Sequence, residues 1–456
     1  MLGLGLRCFA LMLPISASAG LDPLSDLLSI PGSAGLGLVL RSEQSPYKGA
    51  GISNDLLPMY LYEGQRVFLH GTRVGLKLVD ELRVQRHSID VFLDYRFEGF
   101  PYERAPASLA GMHVRRPATD LGLGYRYRSD WGNLDAEILH DIDNVSKGGE
   151  LRLAYNFDWQ SGRWHLRPSL MLSRRNARLN DYYYGVRQDE ATALRPEYYP
   201  GAGTDLRLGL YGYYELLNRW RLMGGVAVNI LDTAVRNSPI VRDSVQPTVM
   251  IGAAYDFGSH QPYSEPRLPL RLKVLYGRST DCNLLPAMTL RCGSTRTEDN
   301  TRIAAVELGR PLVEGVNDWP LDFVGYLGLL RHDENHWQAD SWQLDAYIKA
   351  YFYGFPWSER LRTRLGFGAG FSMAQRVPYV EERDQARRGR NTSKLLNYLD
   401  PSIDISVGDL IGMSTLKETY FGLGVSHRSG IFGASRMFDN TNGGSNYFYT
   451  YIESKL

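Results

Sequence analysis

Beyond its first twenty residues the sequence has no run approaching the ~20 apolar residues that a membrane helix requires, which excludes helical membrane spans. It also lacks an excess of either charge: 51 Lys and Arg stand against 50 Asp and Glu, a net charge of +1. That balance offers no basic surface to nucleic acid, so no nucleic-acid partner is expected. Helical periodicity is weak throughout, and no short internal repeat stands out. Cysteine is scarce, with three in 456 residues. Cys8 lies in a leader and is not set in a lipoprotein box. Cys282 and Cys292 form a close pair with no His cluster nearby, which in an exported chain favours a disulfide over a metal site. No cofactor is expected.

The leader has a single early cation at Arg7, an apolar stretch from Cys8 to Ile15, and Ala17-Ser18-Ala19 before Gly20. This is the pattern of a cleaved secretory signal peptide over residues 1–19. The chain is rich in tyrosine and glycine, at 29 and 47 residues, and 12% of it is aromatic. Together with many alternating segments, that composition points to all-β architecture: antiparallel transmembrane β-barrel walls with aromatic girdles, rather than an array of soluble sandwiches.

Stretches of about ten residues with alternating polarity have the length of a tilted membrane strand. Clear cases are Asp120 to Arg128, Gly149 to Phe157, His165 to Ser173, Asp205 to Tyr214, Arg219 to Asn229 and Thr248 to Phe257. Connectors such as Ser129-Asp130-Trp131-Gly132, Gln160-Ser161-Gly162 and Leu217-Asn218 read as hairpin turns. The pattern closes at Tyr255-Asp256-Phe257-Gly258, and a stretch rich in Ser, Pro and charge follows. The expected organisation is therefore a barrel over residues 20–258, a linker over 259–269 and a second barrel over 270–456. The rival is one barrel of about twenty strands, wide enough to be a porin.

In the second half eight strands are expected, centred near Lys273, Val306, Phe323, Ala346, Phe367, Ile405, Leu423 and Tyr449. Long connectors follow the first, third, fifth and seventh. Bacterial barrels keep short turns on the periplasmic side and long loops outside, so Cys282 and Cys292 fall in an external loop. The first half yields about eleven strands; an even count of about twelve is completed by placing one at Leu109 to Arg115.

The seventh strand, Tyr420 to Ser429, sets Phe421, Leu423, Val425, His427 and Ser429 on one face. Because side chains alternate along a strand, His427 and Ser429 share the outward side at the external end, with Arg428 on the lumen side. A histidine and a serine so placed are a candidate base and nucleophile. The bland reading is a pair of ordinary polar rim residues.

From about Gly35 to Gly258 the chain resembles the MipA/OmpV outer-membrane family. The resemblance is carried by Gly35-Leu36-Gly37-Leu38, Ser45-Pro46-Tyr47-Lys48-Gly49 and Leu57-Pro58-Met59-Tyr60-Leu61-Tyr62. It continues through Asp181-Tyr182-Tyr183-Tyr184-Gly185-Val186 and Tyr198 to Gly203. It implies an outer-membrane barrel with a structural or scaffolding role toward murein enzymes, a murein transglycosylase among them, and contact with outer-membrane lipid and lipopolysaccharide. None of the matched residues is catalytic, and Tyr182 to Tyr184 reads as an aromatic loop or girdle.

The second half resembles the lipid A deacylase barrels (PagL-like, acyloxyacyl hydrolases) at His427-Arg428-Ser429-Gly430 and Gly443-Gly444-Ser445-Asn446. That resemblance implies His427 as base and Ser429 as nucleophile of an outer-leaflet esterase. The chain departs from the family where helpers are expected: Gly430 replaces the asparagine after the serine, and Thr441 and Asn442 stand where the family has its acid. Asp439 or Asp400 is the expected substitute for the acid, and the Gly430 N–H for the oxyanion donor. The run Glu381 to Arg390 reads as a solvated, mixed-charge loop.

Overall fold

The computed structural model describes residues 22–28, 32–79, 86–100, 105–217, 219–258, 269–289, 291–295, 298–316 and 319–456. The expected signal peptide and all of the expected linker except Pro269 lie outside the described residues. No helix among the described residues is long and apolar enough to cross a membrane.

A helix, α1 (Asp22–Leu28), precedes the first sheet. That sheet contains β1 (Ala34–Gln44), β2 (Ile52–Glu63), β3 (Val67–His70), β4 (Arg73–Val79), β5 (His87–Arg96), β6 (Ala118–Ser129) and β7 (Gly132–Asp141). It continues with β8 (Gly149–Asn156), β9 (Trp159–Ser161), β10 (Trp164–Arg175), β11 (Gly203–Leu217), β12 (Trp220–Ile230) and β13 (Val245–Asp256). Each strand pairs with its sequence neighbours, and the pairing of β10 with β11 closes a ring of twelve, with the three-residue β9 as an addition along β10. Two helices, α2 (Ala177–Tyr184) and α3 (Thr233–Arg236), stand in its long loops.

The expected count is met, but not by the expected strand. Residues 109–115 do not form one: Ala107–Leu109 is a 3-10 turn, and Phe100 and Arg115 make an isolated bridge. Between β3 and β4 the chain turns at Gly71 and Thr72, where Gly71 has φ 61°. Glycine adopts such a backbone without a Cβ clash, so the chain can reverse there into the short β3 and β4 hairpin.

The second sheet is a closed eight-stranded barrel in sequence order. Its strands are β14 (Arg271–Ser279), β15 (Arg302–Val313), β16 (Leu321–Asp333), β17 (Ser341–Phe352), β18 (Thr363–Ala374), β19 (Leu395–Ser406), β20 (Thr419–Ser429) and β21 (Asn446–Lys455). Antiparallel pairing of β14 with β21, from Arg271 opposite Lys455 to Ser279 opposite Tyr447, shuts the ring. Three helices decorate it: α4 (Leu284–Met288), α5 (Tyr379–Arg387) and α6 (Val407–Ile411). Each of the eight strands contains its expected centre, although Phe323 lies near the start of β16 and Ile405 near the end of β19. The three longest connectors share one end, but the expected long connector after β16, residues 334–340, is shorter than those after β17 and β19.

Polarity is inverted in both barrels relative to a water-soluble protein. Outward positions such as Leu121, Leu123, Ile138, Leu151 and Leu153 in the first, and Val306, Leu308, Leu327 and Leu329 in the second, are exposed. Inward positions hold buried Arg, Lys, Asp and Glu. A chain that buries its charges and exposes a continuous band of leucines is built for lipid on the outside. In the first barrel Trp131, Trp159, Trp164 and Trp220 sit exposed at or beside the short turns, forming an aromatic girdle at that end.

The chain packs as two compact units, the first comprising Met1–Leu28, Val39–Asn54 and Gly71–Ala253, and the second Ser29–Leu38, Asp55–His70 and Ala254–Leu456. Within the second, Phe257 stacks on Phe323 at 3.7 Å, and Tyr60 packs edge-on against Phe371 at 4.9 Å.

Candidate functional site

His427 and Ser429 lie near the loop end of β20, on the face that carries the exposed Phe421 and Leu423. Arg428 between them points into the barrel, fully buried. Its Nε donates to Glu381 Oε2 at 3.0 Å, and its other nitrogens donate to Ser372 Oγ at 2.7 Å and the Ser393 carbonyl at 2.8 Å. Burial pushes the Glu381 carboxyl up, and Arg428 and Ser445 pull against that shift. The mixed-charge loop is therefore anchored as well as solvated: α5 carries Glu381 into the barrel mouth.

The glycines flanking the pair have a packing role. A Cβ at Gly430 would collide with the Thr441 carbonyl, and one at Gly444 with the Arg428 carbonyl. The return loop thus lies directly on the end of β20. The same contact disposes of the expected oxyanion donor, because the Gly430 N–H donates to the Gly443 carbonyl at 3.0 Å. Ser429 Oγ accepts from the Ile431 N–H at 3.3 Å. Ile431 and Phe432 both sit in the left-handed region, with φ 50° and 57°, a strained start to the loop for a β-branched residue.

Neither expected acid meets the imidazole. Asp400 lies one strand away but on the inner face, where its carboxylate binds Lys349 at 2.6 Å and Lys273 at 3.2 Å. The residue opposite His427 on β19 is Leu399, so the alternation of the strand sends Asp400 to the other side of the wall. Asp439 closes a 3-10 turn with φ 49°, and its carbonyl accepts from Asn391.

The partner of His427 is Asn446, directly opposite on β21, with Nδ1 and Oδ1 2.7 Å apart. This residue was part of the motif at the entry to the last strand, but its role was not legible without the register of β20 and β21. An amide oxygen at Nδ1 fixes the tautomer that leaves Nε2 unprotonated, as an orienting residue should. It brings no negative charge to stabilise an imidazolium.

The outward face around the pair is covered from two sides. Ser429 stands opposite Asn397, whose Oδ1 accepts from the Tyr60 hydroxyl at 2.5 Å. Arg436, in the return loop, binds Asp55 through its N–H and its guanidinium at 2.9 Å. On the other flank Val425 is buried against Cys282 and Ala287, with Cys292 and Phe448 alongside. The Cys282–Cys292 disulfide is formed, with the Cα atoms 5.8 Å apart.

Buried ion pairs cross both lumens, and in the first they leave a polar cavity of about 60 Å³ lined by Arg41, Glu43, Arg96, Glu150 and Arg175. In the eight-stranded barrel Lys273 bridges Glu307 at 3.0 Å and Asp400, Tyr326 donates to Glu453 at 2.5 Å, and Arg364 makes a two-pronged pair with Asp404 at 2.8 Å. Side chains fill a barrel of this size, leaving no channel. In the first barrel Arg96 binds Asp120 at 2.5 Å and Glu150 at 2.6 Å, and Arg73 binds Glu137 at 2.6 Å. At its turn end α1 is held inside by Asp26, paired to Arg167 at 2.5 Å and Arg126 at 2.8 Å.

The loop end of the first barrel is closed by an apolar cluster of Tyr47, Phe100, Tyr183, Tyr184, Leu231 and Ile240 with their neighbours. The tyrosine run is thus the core of a loop cap. Within the same loops Arg115 and Glu190 form a fully buried pair at 2.6 Å. Burial raises the Glu190 carboxyl, but the Arg115 hydrogen bond and the N–H groups of Arg187 and His113 outweigh it and hold it at about 2.

Residues 36–257 match the family described as MltA-interacting protein MipA, just under half of the chain. Outer membrane protein Omp26La of Vibrio anguillarum and outer membrane protein OmpV of Vibrio cholerae are each 32% identical over 160 residues, 35% of this chain. That alignment spans 62% of the length of these two relatives. The MltA-interacting protein of Escherichia coli is 24% identical over 257 residues, covering 55% of this chain and 99% of its own. The first barrel is therefore similar to outer-membrane proteins of this type. Among solved structures, LpxR from Salmonella typhimurium overlaps 68% of this chain and 88% of its own at 10% identity and a TM-score of 0.18, too loose a likeness to carry an argument.

Proposed function

We propose that the chain is a structural outer-membrane protein whose role is to hold or organise a cell-wall enzyme, with a murein transglycosylase as the partner and outer-membrane lipid and lipopolysaccharide as the surroundings of its wall. The observation that carries this reading is the state of the two lumens, each crossed by buried ion pairs, with the first capped at both ends. An interior crossed in this way favours stability and shape over passage, which counts against the porin reading. The name of the Escherichia coli relative, MltA-interacting protein, supplies the kind of partner. The test is direct binding of the solubilised protein to a murein transglycosylase, with planar-bilayer recordings alongside; the reading requires binding and silent bilayers.

A second reading, an outer-leaflet esterase acting on lipid A, is favoured by one observation, the His427 to Asn446 pairing at 2.7 Å. Against it stand the Gly430 N–H, already bonded, and a serine whose Oγ accepts from the backbone. Mass spectrometry of lipid A from cells with and without the protein separates the two; a lost acyl chain requires the esterase.

A further inference from the structure

On β20 the outward face changes abruptly. Leu423 is 55% exposed, and Val425, two residues further along the same face, is 5% exposed. What covers Val425 is the loop between β14 and β15. The disulfide closes this loop into a small ring, and α4 inside it turns Leu284 and Ala287 onto Val425 and Phe448. Hydrogen bonds within the ring, from Ala287 N to Asn283 O at 3.0 Å and from Arg291 N to Pro286 O at 2.9 Å, give it a fixed shape.

The other side of the same turn is also apolar. Leu285 is 70% exposed and Met288 43% exposed, and the five residues of α4, Leu-Leu-Pro-Ala-Met, include no polar side chain. Asp281 and Arg291 flank them at the ring's edges. A connector bathed in water has no reason to be apolar on both sides. This one lies beside the band made by Phe421 and Leu423 on β20, Ile452 on β21, and Val274 and Tyr276 on β14, all of them exposed outward positions. Where α4 covers that band, its own outer side continues it.

We propose that the Cys282–Cys292 ring is a lipid-contacting flap, folded down the outside of the eight-stranded barrel so that Leu285 and Met288 meet acyl chains of the outer leaflet. The disulfide closes the flap, and Cys282 and Ala287 seat it on Val425 of the wall. This arrangement gives the expected external loop a place on the barrel wall, and it accounts for the burial of the outward Val425 two residues from the exposed Leu423. The inference needs only the barrel wall and holds whether or not the chain binds a murein enzyme.

The test uses the unaltered protein, reconstituted in vesicles of phosphatidylethanolamine and phosphatidylglycerol that contain a phospholipid with a diazirine in its acyl tail. After irradiation and proteolysis, the peptide carrying residues 283–289 should bear lipid label of the same order as the peptide carrying Phe421 and Leu423. The peptide carrying Glu298, exposed in the same loop, should stay unlabelled. Label on the strand peptides with none on 283–289 would overturn the proposal.

Discussion

The Nδ1 atom of His427 lies 2.7 Å from Oδ1 of Asn446, a pairing made straight across β20 and β21 on the outer face of the barrel. It orients the ring without charging it, and the serine two residues away is bonded to backbone instead. If the protein is structural, His427→Ala and Ser429→Ala leave lipid A acylation as it is in cells carrying the parent protein. Mass spectrometry of extracted lipid A reads this directly, and a difference of one acyl chain between parent and variants would reverse the assignment.

Arg428, on the inner side of the same strand, fixes the loop that bears α5. Replacing it by Met leaves Glu381 buried without its cation, and loss of one member of a buried pair costs about 3–5 kcal/mol. The expected result is earlier unfolding in urea and faster proteolytic cutting between residues 375 and 394, with Arg428→Lys intermediate because an ammonium cannot reproduce the guanidinium's several directed bonds.

The cap on the first barrel should respond to acid through Glu190. Its carboxyl is held below the ordinary range, at about 2, so it contributes stability that is complete above the ordinary carboxylate pKa and is lost as pH falls through about 2. In Arg115→Met only the Arg187 and His113 N–H groups oppose burial, so the carboxyl is less depressed and the acid-sensitive contribution shrinks. Hydrogen exchange of the Val186 amide, which donates to Tyr198 at 2.8 Å, is the readout.

Glu334 predicts the opposite slope. It is buried in the loop after β16, where it accepts from Gln338 at 3.0 Å and from the Tyr379 N–H at 3.3 Å. Burial raises its carboxyl to about 7, outweighing the hydrogen bonds from Gln338 and Tyr379. A raised acid stabilises the folded loop fully below its ordinary pKa, and that contribution is lost as pH rises to about 7. Exchange of the Tyr379 amide should therefore quicken between pH 5 and pH 8 at matched intrinsic rates, and the Glu334→Gln variant should flatten this response.

Much of the fold was readable because barrel strands obey a strict period of two and a lipid band demands apolar residues at every second position. The eight strands of the second half follow from that rule. The strand expected at Leu109 to Arg115 failed because that segment folds as a 3-10 turn and an isolated bridge. The site was readable in part. His427 and Ser429 share a face as their spacing requires, but Asn446 could be recognised as a partner only from the register across two strands. Asp400 was misplaced by proximity in the sheet, since a neighbour on the next strand with the wrong parity faces the lumen. The lipid-facing side of α4 was hidden for a similar reason: a five-residue turn is too short to show periodicity.

The claim of a scaffold is tested most directly by immobilising the purified, detergent-solubilised protein and titrating a soluble murein transglycosylase over it. Saturable binding, unaffected by His427→Ala and Ser429→Ala, is the expected result. No binding at any accessible concentration, for protein whose fold is verified by its heat-modifiable mobility on gels, would contradict it.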